Sequence, residues 1–556
     1  MKLHISLLIF AVRRDPMLFL RAMLWRLRGL RVRSRNTISA LVAGSPAAYQ
    51  LWIARGARNS ATDDVNVESL GPFITYVVIA GDAGSSGITR TLRSIRAGDN
   101  SAQILLFYAS GESAPLAGSE GVQNIRHSAS LDDFVVQLAQ CADHWLCPLM
   151  AGDTLAADAT RIYRSFMTSK DANVYYCDDD LTDERGNRFS PHFKADWNSE
   201  LFRHQDYLSF SCVFKANVEN LRLLPSQLDA EAIIRGLVHA AVADRPAVAP
   251  VHIAQVLHHR GRRHLHPITA VEARPQRLLS TTDKQRVAII IPTKNGFDLI
   301  SNCLKGVEDT TYKNKEVIII DHESDDPKTV ALLRDASAHG YKIVKWAGMF
   351  NYSAMNNYAA RFSQSEFLCF LNNDIEMMDG EWLSLLVRQA GRSDVGAVGA
   401  KLLYPDATIQ HAGVVIGVGG AAGHAHRHCP NDDPGYFDRP HLPQFVTAVT
   451  AACMVVQRRK FDAVDGFDEE RFPVAFNDVD LCLKLVRAGW QSFYEPRAVL
   501  IHHESKTRGS DSLRKNRKRF AGELQALKDK WQTDRVRDPY HNPNLSRLTE
   551  QFLIDI

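Results

Sequence analysis

Between residues 287 and 371 the chain alternates apolar runs with stretches of helical period. Residues 287–291, 316–320, 341–346 and 367–371 read as strands, and 299–307, 328–339 and 353–363 as helices. Strands that are apolar on both faces and separated by helices belong to a parallel, doubly wound α/β sheet. Such a sheet gathers its ligands where the strands end at their carboxyl edge. Three polar tips fall on that edge: Pro292, Thr293, Lys294 and Asn295; Asp321, followed by Ser324, Asp325 and Asp326; and Asn372, Asn373 and Asp374.

Beyond residue 373 a helix is expected over 382–390 and a strand over 395–402. A Gly/His-rich loop should span 411–428, and a strand over 499–504 should carry His502 and His503. A charged helix over 514–531 and a proline-broken tail follow. A weaker copy of the pattern lies upstream, with strands at 73–79, 104–107, 145–150 and 174–180. Asp153 follows the third of these and Asp178, Asp179 and Asp180 close the fourth, so a long-period duplication is expected. The expected division is a basic helical region (1–69), an upstream domain (70–270), a linker (271–286), a downstream domain (287–513), and a C-terminal helix with its tail (514–556).

Bulk composition excludes little but is consistent. A net charge of +3 over 556 residues carries no global nucleic-acid signature. The nine cysteines lack metal-site spacing and several sit in apolar runs, which fits reduced core residues in the cytoplasm. Nor do His411, His424, His426 and His428 have zinc-site spacing. No run reaches the ~18 apolar residues of a membrane span. Residues 1–60 hold eleven Lys and Arg and one acid, Asp15. Residues 18–33 read as a basic, partly amphipathic helix, suited to an anionic membrane surface or to docking on the protein itself.

The candidate chemistry rests on carboxylates. Asp374 at a strand tip suits a divalent cation, with Asn372 adding a neutral oxygen or a water-mediated contact. A plain turn would use the same three residues. Asp478 and Asp480 lie two apart, so on a helix they do not share a face, and one can point into a site while the other supports structure. A positioned carboxylate can serve as general base, although acids at a helix start also complement its dipole. Asp321 could accept a hydrogen bond from a base or ribose, or cap the next helix. His502 or His503 could reach a metal. Lys506 and Arg508 could screen diphosphate charge or be solvated.

Taken in order, several short motifs resemble family-2 inverting glycosyltransferases of the bacterial O-antigen, rhamnan-type surface-polysaccharide branch. They include Ile291-Pro292-Thr293-Lys294-Asn295, Ile320-Asp321-His322-Glu323, Phe350-Asn351-Tyr352-Ser353 with Asn356-Asn357, and Leu371-Asn372-Asn373-Asp374. Ile409-Gln410-His411, Thr450-Ala451-Ala452, Gly466-Phe467-Asp468, Asn477-Asp478-Val479-Asp480 and His502-His503-Glu504 complete the set. The resemblance implies a GT-A fold, Rossmann-like, with a nucleotide-diphosphate-sugar donor and Mn2+ or Mg2+. It implies donor contacts from Pro292, Thr293, Asn295, Asp321, Asn357, Asn372 and Asn373, metal ligation by Asp374 and His502, and Asp478 as catalytic base. Asp480, His503 and Arg508 are expected in acceptor-side or supporting roles. Asn372 stands where the family usually has the first Asp of its DxD motif, and Asn477 where Glu is usual before the base.

The upstream half resembles a degenerate GT-A-like domain through Tyr176-Cys177-Asp178-Asp179-Asp180, Phe193-Lys194-Ala195-Asp196-Trp197 and the region from His258 to Arg260. Met150 is expected at its first DxD position, with Asp153 surviving, and a scaffold or acceptor-binding role follows. A second active centre keeping Asp153, Asp179 and Asp180 is the alternative. For the whole chain, the expectation is sugar transfer, with rhamnose suggested by the branch, to a glycan or lipid-linked glycan. The enzyme would be cytoplasmic, peripheral at the inner membrane face, without nucleic-acid partners. A non-catalytic carbohydrate-binding or assembly protein is the competing expectation.

Overall fold

The computed structural model describes residues 2–59, 72–81, 83–107, 125–128, 130–141, 144–215, 217, 229–263, 285–504 and 514–556. Arg508, Lys506 and most of the expected linker lie outside them. The upstream half holds Ile74–Ile79 (β1), Gln103–Phe107 (β2), Ile125–Ser128 (β3), Trp145–Met150 (β4), Thr154–Leu155 (β5), Val174–Thr182 (β6), Arg188–His192 (β7), Cys212–Lys215 (β8) and Val251–Arg260 (β9). The downstream half holds Val287–Thr293 (β10), Lys315–Asp321 (β11), Lys342–Lys345 (β12), Phe367–Leu371 (β13), Ile375–Met377 (β14), Val395–Leu403 (β15), Ile409–His411 (β16), Val414–Ile416 (β17), Ala422–His424 (β18), Gln444–Val446 (β19), Cys453–Gln457 (β20) and Gln491–His502 (β21).

The two main sheets have one topology. Among the described residues the upstream order is β3-β2-β1-β4-β8-β6-β9-β5, with β7 on β6. Downstream it is β12-β11-β10-β13-β20-β15-β21-β14, with β16 on β15 and β19 on β21. In each, four parallel strands meet an antiparallel fifth (β4 on β8, β13 on β20). Alternate residues of β10 enter two separate cores: Ile289 and Ile291 face one, Ala288 and Ile290 the other. This two-sided burial is why β10 reads as a continuous apolar run. The nine cysteines form no disulfide, and all but Cys429 are buried.

Two expectations need correction. The stretch expected as a loop over 411–428 contains the β17–β18 hairpin. Its histidines do not converge as a set: His411 Nδ1 lies 2.8 Å from His424 Nδ1, while His426 stacks on Phe552. The basic segment is four helices, Lys2–Arg14, Pro16–Leu27, Arg31–Ala43 and Pro46–Asn59. Gly29, at φ +80°, turns the chain inside the single helix expected over 18–33. The proline-broken tail packs into the molecule: Asp538, His541, Asn542, Thr549, Glu550 and Phe552 are buried.

That tail straps the halves together. Asn542 Nδ2 donates to Asp178 Oδ1 and Oδ2 at 3.0 Å and to the Lys194 carbonyl at 2.8 Å. Asp538 accepts from the Ile416 amide at 2.7 Å, and Glu550 accepts from Asn36 at 2.9 Å. A shared apolar cluster of Tyr49, Phe193, Val256, Val415, Val418, Leu545 and Phe552 joins the fourth helix, both halves and the tail. Directly across the halves, Asn198 exchanges hydrogen bonds with the Phe445 backbone, and Arg392 pairs with Glu200 at 2.9 Å. Asn542→Ala would leave the buried Asp178 carboxylate short of donors, at a cost of about 1–3 kcal/mol. Denaturant unfolding should show a lowered midpoint; an unchanged midpoint would refute the strap.

Candidate active site

The carboxyl edge of the downstream sheet opens into a cavity of about 390 Å³. Pro292, Thr293, Asn372, Asn373, Asp374, Asp478 and His502 line it, joined by Lys294, His322, Phe350, Tyr352, Thr450, Ala451 and Glu504. Three sequence-distant segments meet here because of strand pairing. Ile375 sits opposite His502 in the β14–β21 pair, which places His502 beside Asp374. The Asn372 amide donates to the Ala452 carbonyl at 2.9 Å, and Asn373 Nδ2 donates to Thr293 Oγ1 at 2.9 Å, so the strand-tip loop is fixed from both sides.

Asp374 is 5% exposed. Its Oδ1 accepts no hydrogen bond and lies 3.1 Å from His502 Nε2. Gln410 determines what that nitrogen presents. Gln410 Nε2 donates to Glu504 at 3.0 Å, which turns its carbonyl oxygen toward His502 Nδ1 at 2.7 Å. An amide oxygen only accepts, so Nδ1 carries a proton toward Gln410 and Nε2 is the ring atom that faces Asp374, with Asn372 Nδ2 3.4 Å from it. The carboxylate oxygen and the imidazole nitrogen are close enough to share a proton or a cation between them. The donor set, one carboxylate oxygen and one imidazole nitrogen on an open cavity, therefore fits a divalent cation whose remaining ligands are a diphosphate and water. Burial pushes the Asp374 carboxyl up, and His502 beside it more than compensates, holding it below the ordinary value.

Asp478 stands near the start of the helix Asn477–Arg487, after Phe476 in the left-handed region at φ +60°. It accepts from the Val479 amide at 2.8 Å, the Ala451 amide at 3.2 Å and the Thr450 hydroxyl. Burial raises its pKa against those three donors, so it is a stronger base than an ordinary aspartate. Asp480 turns away into the interior, where Trp531 Nε1 donates to it at 2.7 Å and Lys530 pairs with it at 2.8 Å. It anchors the helix Arg514–Trp531. His503 also points aside, to Glu376 at 2.9 Å.

Three expected donor contacts do not line the cavity. Asn295, at φ +53°, receives the Asp325 and Asp326 amides and donates to Asp325, latching one strand-end loop to the next. Asp321 accepts from the Ser324 amide at 3.0 Å and pairs with Lys345; burial opposes these contacts, yet its pKa stays low. Both ends of the Asn357 amide are engaged by the Phe467 backbone, at 2.8 and 2.9 Å. Asn357 is therefore a brace. Gln410 and Glu504 were given no role by the sequence reading. Gln410 lies 92 residues from His502, and no local pattern links a glutamine to a ring that far away.

The upstream half has the equivalent place, and it is filled. Thr154 pairs with His259 as Ile375 pairs with His502, so Asp153 matches Asp374. Ala151, not Met150, then matches Asn372. Asp153 Oδ1 accepts from the Gly261 amide at 2.8 Å, and Arg260 Nε lies 4.0 Å from its other oxygen. Asp179 is paired with Lys194 at 2.9 Å and Arg263 at 2.5 Å. Burial works against its ionisation, but these cations hold it well below the ordinary range. The remaining cavity beside Asp179 is about 10 Å³, room for roughly one water.

Residues 288–464 match the family described as Glycosyl transferase family 2. The chain is similar to the uncharacterized protein y4gI of Sinorhizobium fredii, 34% identical over 470 residues, covering 77% of this chain and 51% of that protein. The O-antigen biosynthesis protein RfbC of Myxococcus xanthus is 32% identical over 440 residues, 73% of this chain and 34% of its own length. A shorter match, 41% identical over 63 residues, covers 11% of this chain and 20% of the N-acetylglucosaminyl-diphospho-decaprenol L-rhamnosyltransferase of Mycobacterium tuberculosis. The chain thus spans about half the length of y4gI and about a third of RfbC. Residues 288–464 form a family-2 glycosyltransferase domain within a GT-A fold.

Among the described residues, the open cavity at Asp374 and its filled counterpart at Asp153 give a stoichiometry. Equilibrium dialysis of a nucleoside diphosphate against the whole chain should find one site per molecule. Two equivalent sites would contradict the filled upstream pocket.

Proposed function

We propose that the downstream half transfers a sugar, with inversion, from a nucleotide-diphosphate-sugar to a hydroxyl of a growing surface polysaccharide or lipid-linked glycan. The observation that carries this reading is the convergence of Asp374, His502 and Asp478 on one cavity, with an orphaned carboxylate oxygen at one end and a raised-pKa carboxylate at the other. Pro292, Thr293, Asn372 and Asn373 border the donor, and Asp321 and Asn295 shape the nucleotide end of the edge from behind the surface. Asp374 and His502 hold a divalent cation, Mn2+ or Mg2+. When bound, that cation neutralises the charge that builds on the diphosphate as the sugar departs.

Asp478 takes the proton from the acceptor hydroxyl. The hydroxyl oxygen forms its bond to the anomeric carbon while the bond to the diphosphate breaks, so a single displacement inverts that centre. Thr450, Ala451 and Val479 hold the carboxylate, and burial keeps it basic enough to work. The names of the O-antigen and rhamnosyltransferase relatives support a polysaccharide acceptor and make rhamnose the first donor sugar to test. The upstream half is a scaffold, because Arg260 lies beside Asp153 and Lys194 and Arg263 fill the neighbouring place at Asp179. The acceptor is placed at the cytoplasmic membrane face, with the chain peripheral to it; no helix among the described residues is long and apolar enough to cross a membrane.

Nucleoside diphosphate release should be measured over a panel of nucleotide-sugars with a lipid-linked glycan extract, with and without chelator. One donor should support release, and chelator should abolish it. Asp478→Asn should lower turnover by about 10²–10⁴-fold while donor binding persists. Full activity in a folded Asp478→Asn protein would overturn the assignment. The acid limb of the wild-type pH–rate profile should lie above the ordinary aspartate pKa, because burial raises Asp478 and activity is lost as pH falls through that raised value. A limb below the ordinary value would point to a different base.

A further inference from the structure

Helix Pro16–Leu27 shows an apolar stripe to solvent. Met17, Leu20, Leu24 and Leu27 are 74%, 55%, 46% and 83% exposed. Their spacing of three, four and three residues puts them on one face of the helix. Ala22, on the opposite face, is fully buried. The preceding helix, Lys2–Arg14, also exposes Leu8, Ile9 and Val12 while Leu7 and Ala11 are buried. Neither set is needed to hold the four helices together, since the inward faces already do so.

The surroundings of the stripe are cationic. Arg21 and Arg28 border it on the helical wheel, with Arg13, Arg14, Arg26 and Arg31 nearby in sequence. Among the described residues none of these six has a carboxylate partner, whereas Arg33 pairs with Asp406. Asp15, the one acid of residues 1–60, caps this helix by accepting from the Leu18 amide at 2.7 Å. A second copy of the chain would set the same arginines against one another. An anionic bilayer surface provides both things the patch lacks: an apolar phase a few ångströms deep and a layer of negative charge.

We infer that helices Lys2–Arg14 and Pro16–Leu27 form a peripheral docking surface for anionic phospholipid, with Met17, Leu20, Leu24 and Leu27 entering the headgroup boundary and the arginines binding phosphate. The four-helix unit is tied to the body through Tyr49, whose hydroxyl donates to Asp180 at 2.6 Å, and through Asn36 to Glu550. Docking would therefore fix the whole molecule at the membrane. The inference deepens the reading of a membrane-borne acceptor, but vesicle binding needs neither donor nor acceptor, so either can fail alone.

The test is flotation of the full chain with vesicles of phosphatidylcholine alone and with added phosphatidylglycerol. Binding should require the anionic lipid and weaken with salt. Leu20→Ser combined with Leu24→Ser should weaken it by about tenfold or more, with circular dichroism and nucleoside diphosphate binding unchanged. Arg21→Gln combined with Arg28→Gln should weaken it without removing apolar surface. Equal binding to neutral vesicles, no binding to either, or a double-serine variant that binds like wild type would each overturn the inference. So would concentration-dependent self-association abolished by the double-serine change, which would make the stripe a contact between copies.

Discussion

A carboxylate removed from water must be compensated, and each half of this chain meets that requirement differently. Upstream, Asp179 is compensated by Lys194 and Arg263, while Asp153 accepts from the Gly261 amide with Arg260 nearby and burial still raises its carboxyl to about 6. These partners all come from the chain itself, and a cavity of about 10 Å³ is left beside Asp179. Downstream, Asp374 has the His502 imidazole 3.1 Å away and an oxygen with no hydrogen-bond donor, facing an open cavity. A cation can enter there from outside, and a site that borrows its cation is a site that can bind and release a charged leaving group. The same sheet order thus carries a small, partnered upstream pocket and an open downstream cavity.

The closed half still shapes the open one. Asn198 and Glu200 of the upstream half hold Phe445 and Arg392 of the downstream half, and Phe445 belongs to β19, which pairs with β21. That strand ends in His502. The tail returns from the downstream half to cover Asp178, and Asp480 binds the helix that leads into the tail. One metal-seat residue and the neighbour of the proposed base therefore lie on elements anchored by the second domain and its strap. This gives a physical reason for a filled domain to persist beside one with an open cavity.

The downstream sheet was legible because its strands are buried on both faces and its helices are amphipathic, so pattern and topology agree from Val287 to Leu371. Asp374, His502 and Asp478 were legible only as an ordered set of motifs; each alone reads as a turn, a strand end or a helix start. The contact of Asn357 with the Phe467 backbone could not be read, because a side chain that binds a backbone 110 residues away looks the same in sequence as one that faces a cavity. The β17–β18 hairpin was hidden by its glycines, and the helix break at Gly29 by arginines that continue on either side. The filling of the upstream pocket could not be read, since Arg260 and Arg263 acquire their meaning only once β9 is laid beside β6.

The most direct test of the borrowed-cation claim is a titration of manganese followed by electron paramagnetic resonance, with and without nucleoside diphosphate. Asp374 and His502 would supply two ligands, too few for a tight site of their own. Manganese should bind weakly to the protein alone and tightly once the diphosphate is present, and His502→Ala should remove the tight phase. Tight manganese binding without the diphosphate, or a tight phase that survives His502→Ala, would contradict a cation held jointly by this pair and the leaving group.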